Sequence, residues 1–277
     1  MSARPAHEQA GHRHPPRHPP RDPTRRLAWQ ARLAERWRGI GLSMVVVVAT
    51  VWLGVTGQLG LYIHPRYFGF TLVMSALGLV FVVASFVMPA AADGEPRSPR
   101  RTGLTLTGSA VLLLVGVLTV LAVPPATLTS ATATQREINS GGLDTTAAAD
   151  QAATLVGTGD YERLSIKEWV SLLAQSDDPA LYTAKTAKVT GFVLPDADDP
   201  DNVFYVARFV VTCCAVDAQP IGVPVYLPGW SASYSTDEWV QVTGTFRANP
   251  SARSGSSLTV EPTSIEPVDQ PSDPYVY

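Results

Sequence analysis

At 277 residues the chain has room for one or two domains, and its 45 % hydrophobic fraction is ordinary only as an average. Residues 1–123 carry 13 basic and 5 acidic side chains, a net +8, whereas residues 124–277 carry 8 basic and 19 acidic, a net −11. The acidic second half excludes nucleic acid as its partner, because phosphate binding needs clustered Lys and Arg.

Residues 1–39 hold nine arginines, the histidines His7, His12, His14 and His18, and the prolines Pro15, Pro16, Pro19, Pro20 and Pro23. This composition has too little apolar surface to offset chain entropy and reads as a disordered cytoplasmic tail. The histidines are either a weak metal-binding tract or part of a solvated low-complexity segment. Thr24–Arg38, with Leu27, Trp29, Leu33 and Trp37 among its arginines, has the pattern of a short amphipathic helix at a lipid surface.

Three uncharged runs follow within residues 40–123: Ile40–Ile63, Phe68–Ala92 and Leu104–Val123. A membrane-crossing helix needs about 20 apolar residues, so each run is expected to span. The first is too long for a cleaved signal peptide and lacks a small-x-small cleavage site. Gly54, Gly57 and Gly60 recur every third residue, either to let a second helix approach or because glycine is common in membrane helices. Gln58 is either an interhelical hydrogen bonder or a residue near the water interface. Tyr62, Tyr67 and Phe68 suit an interface belt around the His64-Pro65-Arg66 connection, where His64 reads as a hydrogen-bonding group rather than a ligand. The tail has nine arginines, the loop at His64 has one, and Asp93–Arg101 has three. By the positive-inside rule the tail and the Asp93–Arg101 loop lie inside, and the His64 loop and residues 124–277 outside.

Residues 124–161, rich in Thr, Ala, Ser and Gly, read as a flexible linker. Ser165 and Glu168 have the spacing of a capping box opening a helix that stops before Asp177-Asp178-Pro179, with Leu164, Trp169, Leu172 and Leu173 on one face. Beyond it the periodicity becomes two-fold. Strands are expected at Lys185–Leu194, Asn202–Cys213, Gly222–Leu227, Glu238–Arg247 and Ser257–Pro267, the first two forming a hairpin across the Asp-rich Pro195–Asp201 turn. Gly191 and Gly244, each inside a strand where a small barrel must bend, predict an OB-like five-stranded barrel over residues 162–270 with one flanking helix; a β-sandwich is the alternative. Residues 271–277 read as a C-terminal tail.

The only two cysteines, Cys213 and Cys214, are adjacent. Across a trans peptide their Cα atoms lie ~3.8 Å apart, below the usual disulfide range of about 4.4–6.8 Å, so the pair is a poor structural staple. In a regular strand the thiols would face opposite ways, and the chain must bend if both are to act on one target. With Asp217 they are candidate ligands for Zn²⁺ or Cu(I). They also suit an exchanging dithiol or a transient cargo site completed by a partner; the plainer reading is two small side chains filling the core. Residues 124–277 contain no histidine, which disfavours a four-ligand structural zinc site within this half. Arg208 is a candidate ion-pair partner of Asp217, and Gln219-Pro220 a turn into the next strand. No Ser/His/Asp grouping, paired carboxylates or phosphate-cradling loop is present, so the chain is read as non-enzymatic.

Three N-terminal apolar runs, a tether and the segment Arg208-Phe-x-x-x-Cys213-Cys214-Ala-x-Asp217-Ala-Gln219-Pro220 together resemble the YcgQ-like family of uncharacterised membrane proteins. The similarity covers most of residues 40–270, and the Cys-Cys-Ala-x-Asp-Ala-Gln-Pro segment is its most specific part. The resemblance implies an accessory subunit of a larger multi-span membrane permease in a bacterial inner membrane, linked to metal-ion homeostasis. Arg208, Cys213, Cys214, Asp217, Gln219 and Pro220 match the motif; the Arg/His/Pro tail lies outside it.

Overall fold

The computed structural model describes residues 41, 43–87, 111, 114–119, 127–140, 156, 159, 161–176, 178–183 and 185–277. The Arg/His/Pro-rich stretch, the Asp93–Arg101 loop and most of the third apolar run lie outside these residues.

The first apolar run does not continue as one helix to Ile63. Helix α1, Ser43–Val55, ends at Gly57, whose φ of +74° is a left-handed conformation that glycine adopts without a Cβ penalty. A 3₁₀ turn, Gln58–Leu61, follows, so Gln58 begins a turn rather than sitting mid-span. His64 then caps a second short turn, Pro65–Tyr67: its Nδ1 accepts the Arg66 N–H at 3.1 Å. Helix α2, Phe68–Val87, continues from that turn. Among the described residues one helix, Pro65–Ala84, is long and apolar enough to cross a membrane. From Phe70 onward its large exposed side chains, Phe70, Leu72, Val73, Met74, Leu77, Leu79, Val80, Phe81 and Val83, are all apolar. A Cβ at Gly54 would sit 3.7 Å from Leu72, so this glycine does face α2; Gly57 and Gly60 serve the turn instead. Of the third run, residues 114–119 are helical.

The C-terminal half is a mainly β domain. Helix α3, Ile166–Gln175, opens with the capping box: Ser165 Oγ accepts the Glu168 N–H at 3.3 Å, and Glu168 Oε2 accepts the Ser165 N–H at 2.6 Å. Six strands follow, β1 Thr186–Pro195, β2 Val203–Val210, β3 Gln219–Tyr226, β4 Trp239–Ala248, β5 Leu258–Pro267 and β6 Tyr275–Val276. The pairings run from β1 through β4, β5, β3 and β2 and return to β1; β6 adds in parallel to β2. Two glycines allow this path. A Cβ on Gly191 would clash with the Ala207 carbonyl, and one on Gly244 with the Glu261 carbonyl beside the register shift at Thr243/Gly244.

β2 is buried on both faces, and this creates two cores. Phe204, Val206 and Val210 join Val189, Val193, Val223, Val242, Phe246 and the fully buried Trp169 of α3. Tyr205, Ala207, Phe209 and Val211 point the other way, onto Phe192, Leu194 and Tyr275. Three segments cover that second core. Ala133 and Leu128 come from the stretch read as linker, Tyr275 and Tyr277 from the stretch read as tail, and Leu61 from the turn after α1. Residues 127–140 are tied down: Ser130 N and Oγ donate to Asp237 at 2.6 and 2.8 Å, and Asn139 exchanges two hydrogen bonds with the Gly222 backbone. Residues 271–277 likewise are not a free tail, since Tyr275–Val276 is a strand and Tyr275 is buried.

Candidate functional site

β2 ends at Val210, and the Val211 N–H is taken by the Val276 carbonyl at 3.0 Å. The chain then bends through Thr212, Cys213 and Cys214 into a 3₁₀ turn, Ala215–Asp217, before β3 begins at Gln219. Asp217 makes the bend. Its carboxylate accepts the N–H groups of Thr212 at 3.3 Å, Cys213 at 2.8 Å and Cys214 at 3.2 Å. Three consecutive backbone donors thus converge on one charge, an arrangement worth more than three neutral bonds.

The bend meets the condition that the sequence set for joint action of the thiols. Cys213 is exposed, Cys214 half-buried, and both are free. Desolvation pushes the Cys213 thiol above its ordinary value, reinforced by the neighbouring Cys214 thiol and by Asp217; Arg66 opposes them.

The turn also receives the connection between α1 and α2. Ile63 and Cys214 form an isolated antiparallel bridge: the His64 N–H donates to the Cys213 carbonyl at 3.0 Å, and the Ala215 N–H to the Tyr62 carbonyl at 2.9 Å. Arg66 donates from its guanidinium to the Thr212 carbonyl at 2.6 Å. Alongside, Tyr277 Oη donates to the Gly60 carbonyl at 2.8 Å, and its ring stands edge-on to His64 at 5.0 Å. Burial first, then Asp273 and Tyr275, pushes the Tyr277 hydroxyl up to about 12, so it stays a donor at physiological pH. His64 is held below its ordinary value, by desolvation first and then by Arg66 and Lys167, with Asp217 opposing.

Arg208 does not pair with Asp217. Its Nε donates to the Pro274 carbonyl at 3.2 Å, its terminal nitrogen donates to the Asp273 carbonyl, and the guanidinium stacks 5.6 Å from the Trp239 ring. Opposite charges nine residues apart suggested an ion pair, but Asp217 is committed to the backbone of its own turn. Arg208 instead anchors the segment leading into β6. Gln219 opens β3 opposite Val210, and Pro220 is buried opposite Phe209, its carbonyl taking the Asn139 N–H at 3.1 Å. Pro220 therefore lies in a strand rather than at a turn.

Cys213, Cys214 and Asp217 are thus together, Gln219 and Pro220 lead away from them, and Arg208 works elsewhere. Among the described residues no group of three or more His, Cys, Asp and Glu is arranged to hold a metal ion. Sequence reasoning missed Arg66, Tyr277 and the docking of His64. One signal pointed to them: the positive-inside rule places the His64 loop and the β domain on the same side of a membrane.

An apolar helical segment whose connecting loop pairs with a cysteine turn of a mainly β domain defines the class. Residues 38–139 match the DUF1980 N-terminal domain and residues 147–277 the DUF1980 C-terminal domain, so the chain belongs to the DUF1980 family. The cysteine turn lies in the second region, and the loop that docks on it in the first. A comparison with curated proteins gave no match.

Proposed function

We propose that this chain is a membrane-anchored accessory subunit of a multi-span permease, with Cys213 and Cys214 as the groups that meet the cargo or a metal ion. The carrying observation is that the exposed cysteine turn is bonded to the α1–α2 connection through Cys213, Ala215 and Thr212. In this reading the two thiols stand where a membrane helix begins. Three membrane helices, with the N-terminus cytoplasmic and the β domain extracytoplasmic in a bacterial inner membrane, are the topology in this reading. The contact between the His64 loop and the β domain supports it, because both must lie on one side.

The five strands that pair in a ring are read as an OB-like barrel. Continuous pairing through β1–β2 favours this over a sandwich of two separate sheets. Two thiols suit Cu(I), or Zn²⁺ with further ligands from a partner. Asp217 belongs to the centre as the group that shapes the turn, since both of its oxygens already accept backbone N–H groups. Helices with so little intramembrane polarity do not make a selective path alone, so a partner supplies it. The adjacent free thiols, with Cys213 exposed and Cys214 half-buried, favour a second reading, an extracytoplasmic thiol-redox protein.

The test is purification of the tagged full chain in mild detergent from its own membrane. A stoichiometric multi-span permease that stays bound to a Cys213→Ser/Cys214→Ser variant, while its transport falls at least about tenfold, supports the proposal. Recovery of the chain without such a partner, or full transport by the double variant, contradicts it.

A further inference from the structure

The peptide unit between Cys213 and Cys214 is bonded on both sides. Its C=O accepts the His64 N–H at 3.0 Å, and its N–H donates to Asp217 Oδ1 at 3.2 Å. The preceding peptide unit supplies the Thr212 C=O to Arg66 and the Cys213 N–H to Asp217. The bonds that dock the membrane loop therefore fall on the backbone that a bond between the two sulfurs would have to reshape. Adjacent Cα atoms lie ~3.8 Å apart across a trans peptide, whereas disulfides take about 4.4–6.8 Å. Closing the ring must twist this peptide unit, and a twisted unit cannot keep both partners in line.

We infer that oxidation of Cys213 and Cys214 to a vicinal disulfide undocks the Tyr62–Arg66 loop, so that the redox state of the pair sets whether the membrane segment is bonded to the β domain. The oxidant is a disulfide, R–S–S–R. One cysteine sulfur, as thiolate, attacks it and releases one RS⁻; the second displaces the other RS⁻ from the mixed disulfide. The two thiol protons end on the two R–SH molecules, the cysteine pair is oxidised by two electrons, and the oxidant is reduced by two. Cys213 is exposed, so the oxidant has access. Its raised thiol pKa slows the attack at neutral pH and leaves the equilibrium coupling unchanged.

Coupling is reciprocal: what undocks the loop must make the pair easier to oxidise. Loss of one or two ordinary hydrogen bonds shifts docking about tenfold. Arg66→Ala removes a docking bond without touching sulfur. It should therefore raise the disulfide-to-dithiol ratio in a glutathione buffer by up to about tenfold, which lowers the reduction potential by about 30 mV for a two-electron couple. This inference does not rest on a permease partner or on metal binding.

The experiment is hydrogen exchange on the full chain in lipid nanodiscs, reduced and then oxidised with oxidised glutathione, with disulfide formation followed as the loss of two hydrogen atoms in the intact mass. The expected result is about tenfold faster exchange over residues 62–66 and 213–215 after oxidation, reversed by dithiothreitol and absent in Cys213→Ser. Tyr277→Phe, which removes the neighbouring bond to Gly60, should shift the redox ratio in the same direction as Arg66→Ala. Failure of the pair to close, equal exchange in both states, or a redox ratio unmoved in both variants overturns the inference.

Discussion

The backbone N–H of His64 donates to the carbonyl of Cys213 at 3.0 Å, joining the connection between two apolar helices to the cysteine turn of the β domain. Around this bond Ala215, Arg66 and Tyr277 add others, so the turn and the loop form one junction.

The Asp217 carboxylate is what holds the turn. Replacing it with alanine leaves three backbone donors without their acceptor, a loss of about 1–2 kcal/mol for a half-exposed site. Chemical denaturation should show that loss, and alkylation of Cys213 should speed up. Asp217→Asn, which retains one amide oxygen, should fall between. Unchanged stability in the alanine variant would mean that the turn holds without the carboxylate.

Arg208 and Asp217 act on different segments, so a double-mutant cycle between Arg208→Ala and Asp217→Ala should give a coupling within about 0.5 kcal/mol of zero. Arg208→Ala alone should cost about 1–3 kcal/mol and speed hydrogen exchange over residues 273–277, because their carbonyls lose a charged donor. A coupling of several kcal/mol would restore the ion pair that the two charges suggest in sequence.

Gly191 lies where β1 passes from pairing with β4 to pairing with β2. A methyl group there meets the Ala207 carbonyl, so Gly191→Ala should cost about 3 kcal/mol, read from urea midpoints at constant slope. A cost below 1 kcal/mol would show that β2 shifts easily, against its burial on both faces.

Docking should weaken in acid. His64 is held below its ordinary value of 6.5 when docked, by desolvation, Arg66 and Lys167 against Asp217, so the undocked loop binds the proton more tightly. The contribution is fully present above 6.5 and is lost as pH falls through it toward the lower docked value. Protection of residues 62–66 in hydrogen exchange, corrected for intrinsic rates, should fall in that window and stay level in His64→Gln. A level profile in the wild-type chain would remove His64 from the docking balance.

What the sequence made legible was local. Ser165 and Glu168 lie three residues apart and formed their capping box as read; the two-fold patterns at Lys185–Leu194 and Glu238–Arg247 became β1 and β4 almost unshifted. What it hid depends on distant contact. β6 is two residues long and has no periodicity to show, and residues 127–140 are held by distant partners, packing over Phe209 and its neighbours and bonding to Asp237 and Gly222. Arg208 and Asp217 were paired by charge because sequence carries no direction; backbone donors, invisible in it, took Asp217 instead. The helix over Ile40–Ile63 was overextended because apolar composition continues past Gly57 while its backbone turns left-handed.

In the proposed function Cys213 and Cys214 receive a soft metal ion or cargo at the junction between the α1–α2 loop and the β domain. Residues 62–66 and 127–140 help build that junction, so the sample is the reduced full chain in nanodiscs, titrated anaerobically with Cu(I) and Zn²⁺ beside Cys213→Ser/Cys214→Ser. Binding of at least one of these ions by the wild-type chain is expected, weakened at least about a hundredfold in the double variant. Equal affinity in the two chains, or binding by neither, would contradict it and leave the thiols to redox exchange.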